Sequence, residues 1–326
     1  MGSILPPPPI SSAVVPKGIY CPTITFFTND SVQDLDLEAQ AKHAKFLIQS
    51  GVHGITVLGT TGEAPLLTHD ERNAVTKTVF SVRKQMNTTT ALVVGCSAPS
   101  VRETLQMCKD AAANGGEFAL VLPPSYWAAA STPAVIENYY TMVANESPIP
   151  VIIYSFPAVT QGVDMNSDLL SRLAAVPNIV GVKLTCGNVG KLTRLTEAFS
   201  SSEFAVFGGS SDWLVPGLAA KSCGAVTGLA NTHPRSCVKL FDLFQDGKLV
   251  EAQELQGLVS KAEWGIGYTG MNGTKYAVEW SGSYKEKILP RAPLMECSEE
   301  TKVWIRDVMS ELTIYESKLV SGECAS

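Results

Sequence analysis

Ile179-Val-Gly-Val-Lys-Leu-Thr185 is a run of β-branched and small apolar residues with a single lysine inside it. It reads as a strand buried on both faces, the kind found in parallel sheets covered by helices. Working outward from it, seven more such runs appear: 18–27 (GIYCPTITFF), 54–59 (GITVLG), 91–97 (ALVVGCS), 118–123 (FALVLP), 150–156 (PVIIYSF), 204–210 (FAVFGGS) and 224–230 (GAVTGLA). Their starts recur every 20–37 residues, the size of one βα unit. Eight consecutive units predict closure into an α/β fold of the (β/α)₈ TIM barrel type. An open doubly wound sheet is disfavoured, because no G-x-G-x-x-G follows the first strand and GTTGE (59–63) is too short for a P-loop.

The segments between the strands are amphipathic. Leu37, Ala41, Ala44 and Ile48 recur at helical spacing with Gly51 as the closing residue, and Thr68, Ser100 and Asn166 or Ser167 stand where N-caps belong. After residue 232 strands cease and helices are predicted at about 235–245, 248–263 and 299–319, with a Gly-rich stretch at 265–273. The expected organisation is therefore a disordered Pro-rich tail (1–17), a barrel (18–246) and a C-terminal helical region (247–326) packed on it.

With 45% hydrophobic and 17% charged residues in 326, the chain can bury a large core. The net charge of −6 and the absence of a dense Lys/Arg run argue against nucleic acid as a partner. No apolar stretch reaches membrane-spanning length. The eight cysteines form no CxxC pair and read as reduced, mostly buried thiols. The N-terminal residues fit neither a signal peptide nor a transit peptide, Pro6 breaks a myristoylation match, and Cys324 lies one place too late for a prenylation box. The cytosol is the expected compartment.

Lys183 is the most informative residue, since lysine rarely occupies a doubly buried strand. Alternation puts Gly181, Lys183 and Thr185 on one face and Val180, Val182 and Leu184 on the other, which aims the lysine into the barrel near its C-terminal mouth. Loss of water there favours a neutral amine able to attack a carbonyl carbon and form an imine; the competing reading is a strand-end lysine reaching out to water. Tyr154 ends the preceding strand as a proton donor and acceptor for the same mouth, or as a core aromatic. GTTGE offers two hydroxyls and close backbone approach to a small carboxylate, or is an ordinary βα turn, with Glu63 fixing the loop by hydrogen bonds. Ser210, Ser211 and Asp212 suit either the hydroxyls of a sugar acid or a helix N-cap. The four histidines (43, 53, 69, 233) form no metal-binding spacing, and His43 and His69 read as exposed helix positions. A metal-dependent mechanism is disfavoured.

Three motifs, GTTGE (59–63), Tyr154-Ser-Phe-Pro157 and Gly181-Val-Lys183, resemble in order and spacing the dihydrodipicolinate synthase/N-acetylneuraminate lyase family over roughly residues 18–310. The resemblance implies that Lys183 forms an imine with pyruvate or another 2-oxo acid without a cofactor, that Tyr154 and Thr60 relay protons, and that Thr61 holds the pyruvate carboxylate. It also implies that Gly209 and Val226 line the pocket with backbone groups. The relay tyrosine that a neighbouring subunit supplies in many members falls on Ser125 or, as favoured here, Tyr126 of LPPSYW, which implies a dimer or tetramer. Synthases of the family carry an arginine where this chain has Val159. Residues 154–160 and 181–195 instead resemble the 4-hydroxy-2-oxoglutarate aldolase branch and the fungal 2-keto-3-deoxy sugar-acid aldolase branch. The expected activity is cleavage of 2-keto-3-deoxy-L-galactonate to pyruvate and L-glyceraldehyde. The alternatives are a 4-hydroxy-2-oxoglutarate aldolase, a synthase joining pyruvate to an amino-aldehyde, or an inactive barrel kept as a binding protein; the last predicts damage to the Lys, Tyr and Thr set, which is intact.

Overall fold

The apolar runs form strands β1 (Gly18–Pro22), β2 (Gly54–Val57), β3 (Ala91–Gly95), β4 (Phe118–Val121), β5 (Val151–Ser155), β6 (Ile179–Leu184), β7 (Ala205–Gly208) and β8 (Gly224–Val226). All are parallel, and β1 pairs with both β2 and β8, so the sheet closes into an eight-stranded barrel. The computed structural model describes residues 14–282, 284 and 286–322. Most of the Pro-rich tail and the Cys324 reading lie outside the described residues. Residues 14–17, expected to be disordered, are placed: Val15 is buried among interior barrel residues, and the Tyr20 hydroxyl donates to the Pro16 carbonyl at 2.7 Å.

Helices follow the strands in turn: α1 (Leu37–Gln49), α2 (His69–Gln85), α3 (Val101–Ala113), α4 (Pro133–Glu146), α5 (Ser167–Ala174), α6 (Val189–Ala198), α7 (Leu214–Ala219) and α8 (Pro234–Gln245). Local chemistry sets their starts. Thr68 and Glu71 make a reciprocal capping box on α2, and Ser100 and Asn166 accept from backbone N–H groups of α3 and α5. Gly51, at φ 85°, follows the last residues of α1 in the left-handed conformation that closes a helix.

Two apolar layers result from strand alternation. Tyr20, Val93, Leu120, Ile152 and Phe207 fill the barrel interior, while Ile55, Leu92, Ile153, Val182 and Leu184 pack outward under the helices. At roughly 1.5–3 kcal/mol for each large aliphatic side chain buried, this outer layer is the main source of stability.

One departure from simple alternation decides where Lys183 points. Val151 pairs with Ile179 but Ile152 pairs with Gly181, so Val180 is an extra residue in β6. Val180 was expected on the face of Val182 and Leu184. It lies inside the barrel, and Val182 and Leu184 lie outside. The bulge resets the period, so Lys183 faces inward although Val180, three residues earlier, does too. Gly181 permits this, since a Cβ there would meet the Ala205 carbonyl oxygen at 2.5 Å.

The Gly-rich stretch does not separate two helices by a loop. Helix α9 (Leu249–Ser281) runs through it and turns sharply at Gly270 (φ 64°, ψ −148°), a conformation reserved for glycine. Helix α10 (Glu299–Ser321) packs along α9 and α8, and the Glu316 carboxylate accepts from the N–H groups of Arg235 and Ser236 at the start of α8. All seven described cysteines are free thiols.

His43 corrects another expectation. It is fully buried, not exposed. Asn231 Oδ1 accepts from its Nε2 at 3.1 Å and its Nδ1 accepts from the Tyr284 hydroxyl at 2.8 Å. Burial lowers its pKa from 6.5 to about 4. The folded state therefore binds fewer protons than the unfolded state between these values, and the associated stability is full above about pH 6.5 and lost as pH falls toward 4. Urea denaturation against pH should show wild type losing on the order of 3 kcal/mol more than His43→Gln over that range. The buried His233, whose pKa is lowered to about 3, contributes to the slope of both proteins, and equal slopes would reject the assignment to His43.

Candidate active site

Tyr154 and Lys183 are register partners near the C-terminal ends of β5 and β6. Both are buried inside the barrel, and Lys183 Nζ lies 4.1 Å from the centroid of the Tyr154 ring. No described residue hydrogen-bonds to or ion-pairs with this amine. Burying a lysine without a carboxylate partner costs stability, so its retention at the mouth of a barrel points to chemistry.

The Tyr154 hydroxyl faces Thr60 Oγ1 at 3.5 Å, the outer limit of a hydrogen bond. Thr60 and Thr61 are half-buried in a tight turn after β2, in which Gly62 N–H donates to Gly59 O and Glu63 N–H to Thr60 O. Glu63 sits at φ 53°, which costs a non-glycine residue roughly 1–2 kcal/mol. Its side chain is fully buried, ion-paired with Lys275 at 2.5 Å and accepting the Arg291 N–H at 2.8 Å. As expected from sequence, Glu63 fastens this loop.

Thr185 continues beyond Lys183, with a buried hydroxyl that finds no partner. Gly209 follows β7 so closely that a Cβ would meet Thr185 Oγ1 at 2.1 Å. Val226, at the end of β8, borders the same small interior void as Lys183 and Thr56. These residues therefore converge around one point.

Ser210 is half-buried at the edge of the mouth. Ser211 is fully buried, and both its hydroxyl and its N–H donate to Glu263 on α9; Thr227 Oγ1 donates to the same carboxylate at 2.5 Å. Burial pushes the Glu263 carboxyl above the usual carboxylate range. The hydroxyl of Ser211 is thus committed to tying the β7 and β8 loops to α9. It does not cap a helix either, because Trp213 precedes α7 without a side-chain cap.

Tyr126 stands apart. It is 70% exposed after β4, its ring edge-on to the equally exposed Trp127. Beside Thr60 and Tyr154 opens a cleft of about 740 Å³, lined mainly by apolar residues including Leu66, Met107, Leu122, Val159, Met271 and Leu294. The two basic side chains among its described lining residues are engaged. Arg72 donates to the carbonyls of Ala64 and Gly95, and His69 binds Glu103 and Asp110. Among the described residues, no group of three or more His, Cys, Asp or Glu side chains is arranged to hold a metal.

Residues 15–312 match the Dihydrodipicolinate synthetase family. The chain belongs to this family. It is 40% identical over 305 residues to a protein of Emericella nidulans named a probable mitochondrial 4-hydroxy-2-oxoglutarate aldolase, covering 93% of this chain and 97% of that one. It is 40% identical over 291 residues to the L-threo-3-deoxy-hexylosonate aldolase of Hypocrea jecorina, covering 86% and 90%. A prophage protein of the dihydrodipicolinic acid synthase family from E. coli K12, solved in complex with pyruvate, superposes with a TM-score of 0.83 at 26% identity, covering 91% and 98%.

Within this member of the dihydrodipicolinate synthetase family, sequence reasoning missed Lys275, Arg291 and Glu263, which lie in the helical region and touch the site only through loops. The signal for Glu263 was the run Gly209-Ser-Ser-Asp212, whose hydroxyls need a buried partner once the loop is packed. Ser211→Ala should cost about 1–3 kcal/mol in urea denaturation by leaving a buried carboxyl short of a donor. Wild-type stability with weakened substrate affinity would return Ser211 to a binding role.

Proposed function

We propose that this chain is a class I aldolase cleaving a 2-keto-3-deoxy sugar acid, with 2-keto-3-deoxy-L-galactonate giving pyruvate and L-glyceraldehyde as the favoured reaction. The observation that carries the mechanism is the pairing of Lys183 and Tyr154 across β5 and β6, with Thr60 at the phenol. The Lys183 amine attacks the C2 carbonyl and water leaves, giving an iminium. Tyr154 takes the proton of the C4 hydroxyl as the C3–C4 bond breaks. The bond pair flows into the iminium to give an enamine, the aldehyde departs, and protonation at C3 followed by hydrolysis frees pyruvate and restores the lysine. Thr61 holds the substrate carboxylate, and Gly209 and Val226 shape the pocket with backbone groups.

The choice of aldehyde rests on charge. Val159 lies at the lip of the cleft, and the basic side chains of Arg72 and His69 are already engaged, so none of the described lining residues offers a free cation to an acidic aldehyde half. A neutral polyol aldehyde fits better than aspartate semialdehyde or the glyoxylate released from 4-hydroxy-2-oxoglutarate. The second of these remains the runner-up, because the Emericella relative carries that name.

Exposed Tyr126 and the open cleft beside Thr60 support a dimer or tetramer in which one copy's Tyr126 joins the proton relay of another. Sedimentation of active enzyme as a dimer or larger is expected, and an active monomer would exclude that role. No described helix is long and apolar enough to cross a membrane. The cytosolic reading stands against the mitochondrial designation of the Emericella relative, and cell fractionation decides between them.

Borohydride reduction with pyruvate should add one pyruvate-derived mass to wild type and to Tyr154→Phe but none to Lys183→Ala. Tyr154→Phe should lower turnover by roughly 10²–10⁴-fold. An unlabelled wild type would defeat the proposal.

A further inference from the structure

The loop that carries Thr60 and Thr61 ends in a buried cluster of charge that touches neither Lys183 nor Tyr154. Lys275 and the Glu63 side chain are both fully enclosed. Lys275 Nζ also donates to the Leu289 carbonyl at 2.9 Å and lies 4.3 Å from the centroid of the Phe27 ring. The Arg291 guanidinium is 4.3 Å from the same ring and holds Glu71 by two bonds of 2.9 and 2.6 Å, while its backbone N–H serves Glu63. Helix α9 beyond its turn at Gly270, the segment before α10, the start of α2 and the β2 loop all meet here.

A buried ion pair is a weak source of net stability, since apolar side chains of similar volume serve as well or better. What it supplies is direction. Two charge-assisted contacts hold the Glu63 carboxylate, and through a left-handed residue only three places on they set the position of Thr60. The Thr60 hydroxyl already sits at the limit of contact with the phenol, so a loop shift of about 1 Å breaks it. A further side-chain bond to this turn runs from Thr25 Oγ1 to Gly62 O at 2.7 Å.

We propose that Glu63 and Lys275 are positioning residues for the reaction: their buried ion pair, anchored on the C-terminal helical region, keeps the Thr60 hydroxyl within reach of Tyr154 so that protons move between substrate and solvent. This rests on the Schiff-base reading of Lys183.

The test separates imine formation from proton transfer. Wild type, Glu63→Gln/Lys275→Met and Thr25→Val are each incubated with pyruvate in D2O. Borohydride trapping reports the imine by mass, and NMR reports exchange of the C3 protons through the enamine. The double substitution removes both charges together, so no lone buried charge is left to unfold the chain. All three proteins are expected to trap pyruvate on Lys183. Exchange should fall by about 100-fold in the double variant and by several-fold in Thr25→Val. If the double variant does not fold, Thr25→Val decides, and wild-type exchange in it overturns the proposal. Adducts on all three proteins with undiminished exchange in the variants remove this inference alone. Absence of the adduct on wild type removes it together with the aldolase reading.

Discussion

The extra residue in β6 is the constraint on which the site depends. In a strand of strict alternation, an inward Val180 would send Lys183 outward against the helices, because a shift of one residue exchanges the two faces. With Val180 unpaired, the second half of the strand is reset, and the amine comes to lie over the Tyr154 ring. The adjacent Gly181 lets β6 approach β7 at the point where a side chain would strike the Ala205 carbonyl. Two residues thus turn an apolar strand into a support for a buried amine.

The mouth of the barrel is held by polar fastenings that the interior lacks. Val, Ile and Phe side chains fill the barrel, but the loops after β2, β7 and β8 are tied to the C-terminal helices by two buried carboxylates, Glu63 and Glu263. The first reaches Lys275 and the Arg291 backbone; the second gathers Ser211 and Thr227. Each ties down a loop at the mouth of the barrel. The appended helices therefore act as a brace for the site. The turn at Gly270 matters for the same reason, since Lys275 lies beyond it and reaches Glu63.

The chemistry and the choice of substrate draw on different parts of this arrangement. In the proposed reaction the imine forms on a lysine with no carboxylate beside it and protons move through a phenol with a hydroxyl at hand; the residues proposed for both lie on strands or on the tight turn after β2. Under the proposed function, discrimination among aldehydes falls to the cleft wall, where Val159 offers no charge and the guanidinium of Arg72 is bound to backbone carbonyls. Scaffold and selectivity are thus separated, as the C-terminal face of a barrel allows.

Much of this was legible in the sequence. Eight β-branched runs at regular spacing, each followed by a capped amphipathic segment, determined the barrel, because hydrophobic periodicity and capping are local properties. The three motifs with Lys183, Tyr154 and Thr60 determined the family and the candidate catalytic set. Tertiary structure alone decided the rest. The bulge at Val180 arises from pairing with β5, so no count along β6 reveals it. The burial of His43 and of Ser211, the continuation of α9 through its glycines, and the meeting of Glu63 with Lys275, 212 residues later in the chain, all depend on which surfaces come together once the barrel closes. Local sequence records which conformations a segment prefers; it does not record which distant groups will satisfy its buried polar atoms.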